Sequence, residues 1–166
     1  MKATLILLVA CAVAAPAHAQ EPVGCDKFKW PLDNERAMLT GDTPTVASGT
    51  SLVHALPLSV VVALKPFAEA KLPTAPERTP KSPDSFAGYV EVPAPPQAAT
   101  YKISLSAEAW IDVVQDAHPI KSAAFSGATG CEGIRKSVKF DLAAQPFTVE
   151  LSGVRGDAIR IAITAD

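Results

Sequence analysis

The cysteines are the first residues in this sequence with candidate chemistry, namely a disulfide, a zinc site or a redox site. Cys11 lies in an apolar stretch near the N-terminus, whereas Cys25 and Cys131 lie far apart in the rest of the chain. Neither of the latter has a C-x-x-C partner or a nearby histidine, which disfavours a zinc or redox site. An exported protein meets an oxidising compartment, where such a pair can close. We therefore predict a Cys25–Cys131 disulfide, with a zinc or redox site as the alternative.

Histidine offers little material for catalysis or metal binding. Beyond residues 1–19 the chain has only His54 and His118. His54 lies in an apolar stretch before Pro57, which favours a packed or hydrogen-bonded side chain over a ligand. His118 lies in the turn 116–119 and is expected to be solvated. We predict no metal site and no cofactor.

Carboxylates and serines provide the other candidates for chemistry. Paired carboxylates for glycoside hydrolysis could come from Glu108, Asp112 and Asp116. On one strand, however, they are explained more simply as its polar face and the following turn. Ser126 and Ser152 precede glycines but lack a G-x-S-x-G context, so they indicate turns. We predict no catalytic residue and favour a protein that is not an enzyme; a site assembled from distant residues is the alternative.

Charged and aromatic residues flank both cysteines, so the predicted disulfide would gather them at one end of the domain. We take them as a candidate recognition patch for a protein or small ligand. The alternative is a solvated rim, in which each salt pair contributes less than about 1 kcal/mol. The residues concerned are Asp26, Lys27, Trp30, Glu132, Arg135 and Lys136.

Trp110 is a further candidate for recognition. It opens a predicted strand, and a large aromatic at a strand end is often a stacking platform in sugar-binding sandwiches. Packing in the core or at an edge is the commoner role. An exposed Trp110 or Trp30 on a concave face would favour a sugar- or lipid-binding module.

The N-terminus has the pattern of a signal peptide. Lys2 provides a positive charge, an apolar stretch covers residues 5–15, and 17–19 is a small-x-small cleavage site. We predict a signal peptide over residues 1–19 and a periplasmic protein of a Gram-negative cell. Residues 8–11 also resemble a lipobox, so the alternative is a membrane-anchored lipoprotein acylated at Cys11. The apolar stretch is too short to remain as a transmembrane anchor.

Length and charge narrow the classes of partner. Without the signal peptide, the remaining length fits one domain with a real core. The formal net charge is -2, without blocks of either sign. Nucleic acid and anionic membrane surfaces are therefore poor partners, and an envelope protein or a small ligand is expected.

Residues 20–51 are predicted to form an N-terminal segment tethered by the disulfide. Leu32, Arg36 and Leu39 recur at helical spacing after Pro31, which is tolerated at the start of a helix. A short helix is expected there. Residues 40–51 are rich in Gly, Thr, Ser and Pro, which indicates a loop.

Residues 52–166 are predicted to form the main domain from short strands. Five prolines interrupt residues 65–85, which indicates a long extended loop, exposed and partly mobile. Elsewhere apolar residues alternate with polar ones, at about ten-residue spacing in the last third. Seven or eight such strands predict a mainly β protein, a single antiparallel β-sandwich, with a jelly roll as the near alternative. The predicted strands are 58–64, 89–92, 101–105, 109–115, 120–125, 138–142, 147–151 and 159–163.

Four stretches carry a resemblance to a family. CDKFKWPL, AWIDVVQD, SAAFSGATGCEGIRKSVKFDL and PFTVELSG resemble a group of small exported proteins from Gram-negative, chiefly alphaproteobacterial, genomes without an established function. The strand pattern and the loop around Gly88 are loosely similar to the β-sandwich of bacterial pre-peptidase C-terminal domains. The resemblance identifies a family and not a chemistry.

Some members of that group carry the label homogentisate dioxygenase, which implies non-haem iron. Such iron is normally held by two histidines and one carboxylate. With only His54 and His118 available, each with a simpler structural role, the residues disfavour this activity. We expect a non-catalytic binding or structural protein of the cell envelope.

Overall fold

Two β-sheets packed face to face form the body of the protein. The computed structural model describes residues 21–166, so the predicted signal peptide and the lipobox at Cys11 lie outside the described residues. Twelve strands are present in this part of the chain, and eight of them have six residues or more. They are β1 Thr45–Ala47, β2 Thr50–Ser51, β3 Leu58–Ala63, β4 Lys65–Pro66, β5 Phe86–Val92, β6 Ala99–Leu105, β7 Trp110–Gln115, β8 His118–Ile120, β9 Ser122–Gly127, β10 Lys136–Leu142, β11 Phe147–Val154 and β12 Ala158–Ala165.

The strand order shows two mixed sheets. Sheet 1 has the order β1-β3-β12-β6-β10-β9, and sheet 2 has the order β2-β5-β11-β7-β8, with β4 also paired to β5. The long strands pair antiparallel, as the sequence predicts. The short strands β1 and β2 pair parallel with β3 and β5. The predicted β-sandwich is thus confirmed, with two short parallel pairs added.

The core lies between the sheets and follows from the alternation in the sequence. Ile159, Ile161 and Ile163 of β12 and Val149 and Leu151 of β11 are all buried in it. Because successive side chains point to opposite faces, each long strand contributes every second residue. Fully burying one such side chain contributes about 1.5–3 kcal/mol.

A helix covers the outer face of sheet 1. Helix α1, Asp33–Thr40, confirms the short helix predicted after Pro31 and lies against β12 and β3. Leu32 and Leu39 pack with Ile134 and Ala162 in a second apolar cluster.

The N-terminal segment is also held by the predicted disulfide. Cys25 and Cys131 are bonded at an S–S distance of 2.01 Å. Close by, Val23 forms an isolated parallel bridge with Thr129. The disulfide therefore holds the segment near its start, and α1 holds its middle.

The predicted loop 40–51 differs from the structure. It contains β1 and β2, so the N-terminal segment contributes a strand to each sheet. Gly49 makes the turn between them possible, since its φ is 91°, a conformation that L side chains rarely adopt. Threonine and serine mark this region as a loop by composition, but the edges of both sheets supply partners for its backbone. The local sequence has no pattern that predicts the pairing of β1 and β2 with distant strands.

The proline-rich stretch is largely exposed, as the sequence predicts, but part of it is held against sheet 2. It begins with β4 and a short 3₁₀ turn, Phe67–Glu69, and the remainder, residues 70–85, lies against sheet 2. We call residues 70–85 the Pro-rich loop. Proline does exclude a central strand here, but carboxylates on the neighbouring sheet hold the loop in place. Within residues 21–166, no helix has the length and apolar character needed to cross a membrane.

Candidate functional site

A cleft lies at one open edge of the sandwich. It has a volume of about 530 Å³, and its walls come from β9 and β10 of sheet 1, from β7 and β8 of sheet 2, and from the Pro-rich loop. Its apolar lining is formed by Ile111, Ile120, Phe125, Val138 and Phe140. Around Trp110 it is lined by the charged residues Glu21, Glu77, Arg78, Glu108, Asp112, Arg135 and Lys136.

Trp110 is the half-buried aromatic of this cleft. The Arg78 guanidinium lies over the indole, 4.3 Å from the ring centroid, and the Lys136 ammonium lies 5.3 Å from it. The indole Nε1 donates a hydrogen bond of 2.8 Å to Asp112 Oδ1. The distances of Arg78 and Lys136 from the ring centroid are both within the range of a cation–π attraction. The indole is thus oriented by a carboxylate and faces two cations.

Arg135 precedes β10, and Lys136 is its first residue; both lie next to Trp110 at the cleft. Arg135 Nη2 lies 2.7 Å from Glu21 and 2.8 Å from Glu108, and both of these carboxylates are exposed. Lys136 Nζ donates a hydrogen bond of 2.9 Å to the Ala109 carbonyl. Burial lowers the pKa of Lys136, partly offset by the charge of Glu108.

Two carboxylates on the outer face of sheet 2 hold the Pro-rich loop. Glu150 accepts hydrogen bonds of 2.9 Å from both the N–H and the hydroxyl of Thr74. Asp112 accepts one of 3.2 Å from the N–H of Glu77. Burial raises the pKa of both Asp112 and Glu150 in spite of these hydrogen bonds.

The predicted recognition residues fall into two groups in the structure. Trp110, Arg135 and Lys136 line the cleft. The other residues remain with the disulfide. Asp26 and Lys27 form an exposed ion pair with each other at 2.7 Å.

The remaining two residues of the predicted patch have structural roles. The Glu132 side chain is exposed, and its carbonyl accepts a hydrogen bond from Arg36 Nε. Trp30 packs against the second apolar cluster, with Lys139 4.5 Å from its ring centroid. The structure thus separates the predicted patch into residues at the disulfide end and the residues Trp110, Arg135 and Lys136 at the cleft.

Neither histidine belongs to the cleft. His54 is exposed, so the packed side chain expected for it is wrong; the residue lines a separate, more open pocket near Pro57. His118 is exposed, as expected, and its Nδ1 lies 2.6 Å from the Asp116 carbonyl. Within residues 21–166, no three His, Cys, Asp or Glu side chains come together as a metal site would require.

Sequence reasoning missed the contributions of Arg78, Phe125 and Glu150 to this region. Phe125 is 61% exposed at the cleft although it occupies an alternating strand position that predicts burial. Arg78 lies in a loop whose docking has no local signal. Glu150 alternates with Val149 and Leu151, so it reads as an ordinary solvent-facing residue, yet it is 1% exposed. Only the tertiary approach of the Pro-rich loop gives these residues their roles.

Comparison of the chain with protein-family models, with curated proteins and with solved structures yields no match.

Proposed function

We propose that this protein is a non-catalytic binding protein of the bacterial cell envelope and that it binds its ligand in the cleft around Trp110. The observation that carries this proposal is the combination of an indole, apolar walls and convergent charged groups in one concavity. Ligand sites typically have volumes of 300–1,000 Å³ and combine apolar walls with a few placed polar groups. The cleft, at about 530 Å³, falls within that range.

The chemistry of the lining favours binding over catalysis. Arg135 is engaged by two carboxylates, and Lys136 donates to a carbonyl. Asp112 has both of its oxygens occupied, by the Trp110 indole and by the Glu77 N–H. A general base or nucleophile needs a free group within reach of the reacting atom. The charged groups instead form a fixed frame around an aromatic surface.

Two independent features support the proposed location. The signal-peptide pattern of residues 1–19 directs export, and the Cys25–Cys131 disulfide needs an oxidising compartment to persist. Together they support a periplasmic protein. Acylation at Cys11 would place the same domain on a membrane leaflet.

Native mass spectrometry of protein purified from the periplasm tests the proposal. We expect the wild-type protein to carry the additional mass of its bound ligand, which is lost on denaturation. Trp110→Ala should abolish this mass, because it removes the aromatic surface of the cleft. Val53→Ala is the matched control, since Val53 is a large apolar residue that is 85% exposed outside the cleft.

Two results would contradict the proposal. One is an additional mass that Trp110→Ala retains in full, and the other is a wild-type protein that carries no additional mass. The denatured mass also reports the processing of the N-terminus. A chain beginning at Gln20 supports the signal peptide, whereas an acylated Cys11 supports the lipoprotein.

A further inference from the structure

The Pro-rich loop occupies part of the cleft as a peptide ligand would. Its extended backbone donates from Thr74 to Glu150 and from Glu77 to Asp112, at 2.9 and 3.2 Å. One residue further on, the Arg78 guanidinium covers the Trp110 indole at 4.3 Å. Backbone hydrogen bonds to fixed acceptors and one side chain on an aromatic surface are the usual elements of peptide recognition. The chain thus presents a segment of itself to its own cleft.

The charges of the cleft show which kind of side chain it accepts at Trp110. Four carboxylates and three cations line it, and Arg78 is the one cation that comes from the Pro-rich loop. If the loop leaves, Glu77 leaves with Arg78, and the carboxylates of Glu21, Glu108 and Asp112 then face Arg135 and Lys136. Arg135 is already shared by Glu21 and Glu108. The vacated surface is then an electron-rich indole within a negatively charged frame. Such a surface attracts a guanidinium and repels a carboxylate.

We infer that the Pro-rich loop is an internal lid that imitates the ligand, and that the cleft binds an extended segment of a partner protein which places an arginine on Trp110 instead of Arg78. This inference rests on the proposed function of the cleft and names its ligand. A planar guanidinium is favoured over an ammonium because it stacks on an aromatic ring.

The contacts of the lid with the cleft are weak enough for a partner segment to displace it. Arg78 is exposed, and an exposed cation–π contact is weak. The hydrogen bonds that hold the lid on sheet 2 come from the backbone N–H groups of Thr74 and Glu77, which any peptide also has, and from the Thr74 hydroxyl. A partner segment can therefore replace the lid contact by contact. The arginine of the partner then decides which segments bind.

Calorimetric titration with a synthetic nonapeptide tests this inference. The probe is PTAPERTPK, residues 73–81 of the chain, and the matched probe carries citrulline in place of its arginine. Citrulline keeps the shape of arginine and loses its charge. We expect Arg78→Ala protein to bind the arginine peptide about two- to fivefold more tightly than wild type, because the internal competitor is gone.

The control variants isolate the roles of the two partners. Arg155→Ala changes an exposed arginine in the turn between β11 and β12 and should leave the affinity at the wild-type value. Trp110→Ala should weaken binding of the arginine peptide at least tenfold, and Trp110→Phe, which keeps an aromatic ring, should retain much of it. Thermal unfolding of each variant shows that it is folded.

Three results would overturn the inference. If Arg78→Ala protein binds the peptide no more tightly than wild type, the loop is not an internal competitor. If the citrulline peptide binds with equal affinity, the cleft does not recognise arginine. If no variant binds the peptide, the ligand is not a segment of this kind. None of them touches the proposed function. That function fails only if the cleft-dependent mass described above is absent.

Discussion

At the scale of single residues, the described chain contains an acid whose burial is fully compensated. Glu35 of α1 is 2% exposed, accepts a hydrogen bond of 2.6 Å from the Thr164 hydroxyl and lies 2.8 Å from Lys102 Nζ. Burial alone would raise its pKa, but the hydrogen bonds from Lys102 and Thr164 prevail and lower the pKa of Glu35. The pair holds α1 on sheet 1.

Replacing Glu35 should destabilise the fold at pH values above the pKa of its carboxyl group. We expect Glu35→Gln to reduce the free energy of unfolding at pH 7 by about 2–3 kcal/mol, because Lys102 loses its nearer carboxylate and keeps only Asp166, 4.0 Å away. A lowered pKa stabilises the fold above the unfolded pKa of about 4.3 and loses that effect as the pH falls through the folded pKa. The difference between wild type and Glu35→Gln, measured by urea unfolding, should therefore shrink below about pH 4.3. Equal stability at pH 7, as expected for exposed Glu69→Gln, would contradict the role of Glu35.

For Glu150, the second buried acid, we expect the opposite dependence of stability on pH. Burial raises the pKa of Glu150, so the folded protein takes up a proton more readily than the unfolded chain. Wild type should thus gain stability as the pH falls from neutral through this raised pKa, and the gain should level off near the unfolded pKa of about 4.3. Glu150→Gln should reduce this gain in urea unfolding between pH 7 and pH 4.3 and leave the part contributed by Asp112, whose pKa burial also raises. A variant that keeps the full wild-type slope would show that another group titrates there.

At the scale of secondary structure elements, alternation of apolar and polar residues was enough to predict most of the long strands. Apolar residues at helical spacing after Pro31 were enough to predict the helix. Strands such as β6 and β12 alternate cleanly, and their predicted positions match the structure. The short strands β1, β2 and β4 have two or three residues each and carry no period that could be recognised. Their pairing depends on partners far along the chain.

The disulfide belongs to this scale because it fixes the N-terminal segment to the sandwich. It joins residues that are 106 positions apart. In the chain-entropy model, a loop of this length gives about 4–5 kcal/mol of stabilisation. We expect the Cys25→Ser, Cys131→Ser double variant to lose about that much in urea unfolding at pH 7. A loss below about 1 kcal/mol would show that the helix and the sheets hold the segment by themselves.

Strand β5 has one position, Gly88, where a side chain would be crowded by its neighbours. A Cβ at Gly88 would lie 2.8 Å from both Leu64 Cδ2 and Ser48 Oγ. We expect Gly88→Ala to reduce the free energy of unfolding by about 1–3 kcal/mol, as overpacking of a core usually does. Gly156→Ala is the matched control, since its Cβ would meet nothing closer than 3.9 Å. Equal thermal stability of the two variants would refute the steric reason given for Gly88.

At the scale of the whole molecule, the cleft combines residues that are remote in sequence. Trp110 and Lys136 were singled out from their local context, but Arg78 and Phe125 enter only because the loop and the edge strand meet there. The sequence could suggest which residues are suited to recognition. It could not place Trp110, Arg135 and Lys136 together and Trp30 elsewhere, because this division depends on the approach of the two sheets.

The central claim, that the ligand binds at Trp110, is tested most directly by the indole N–H signals of the two tryptophans in an NMR spectrum of ¹⁵N-labelled protein. The Trp30→Phe variant assigns them. Protein as isolated from the periplasm is compared with the same protein after unfolding, dialysis and refolding, which remove the ligand. The account predicts that the Trp110 signal shifts between the two samples while the Trp30 signal does not. An unchanged Trp110 signal, or a shift of Trp30 alone, would contradict it.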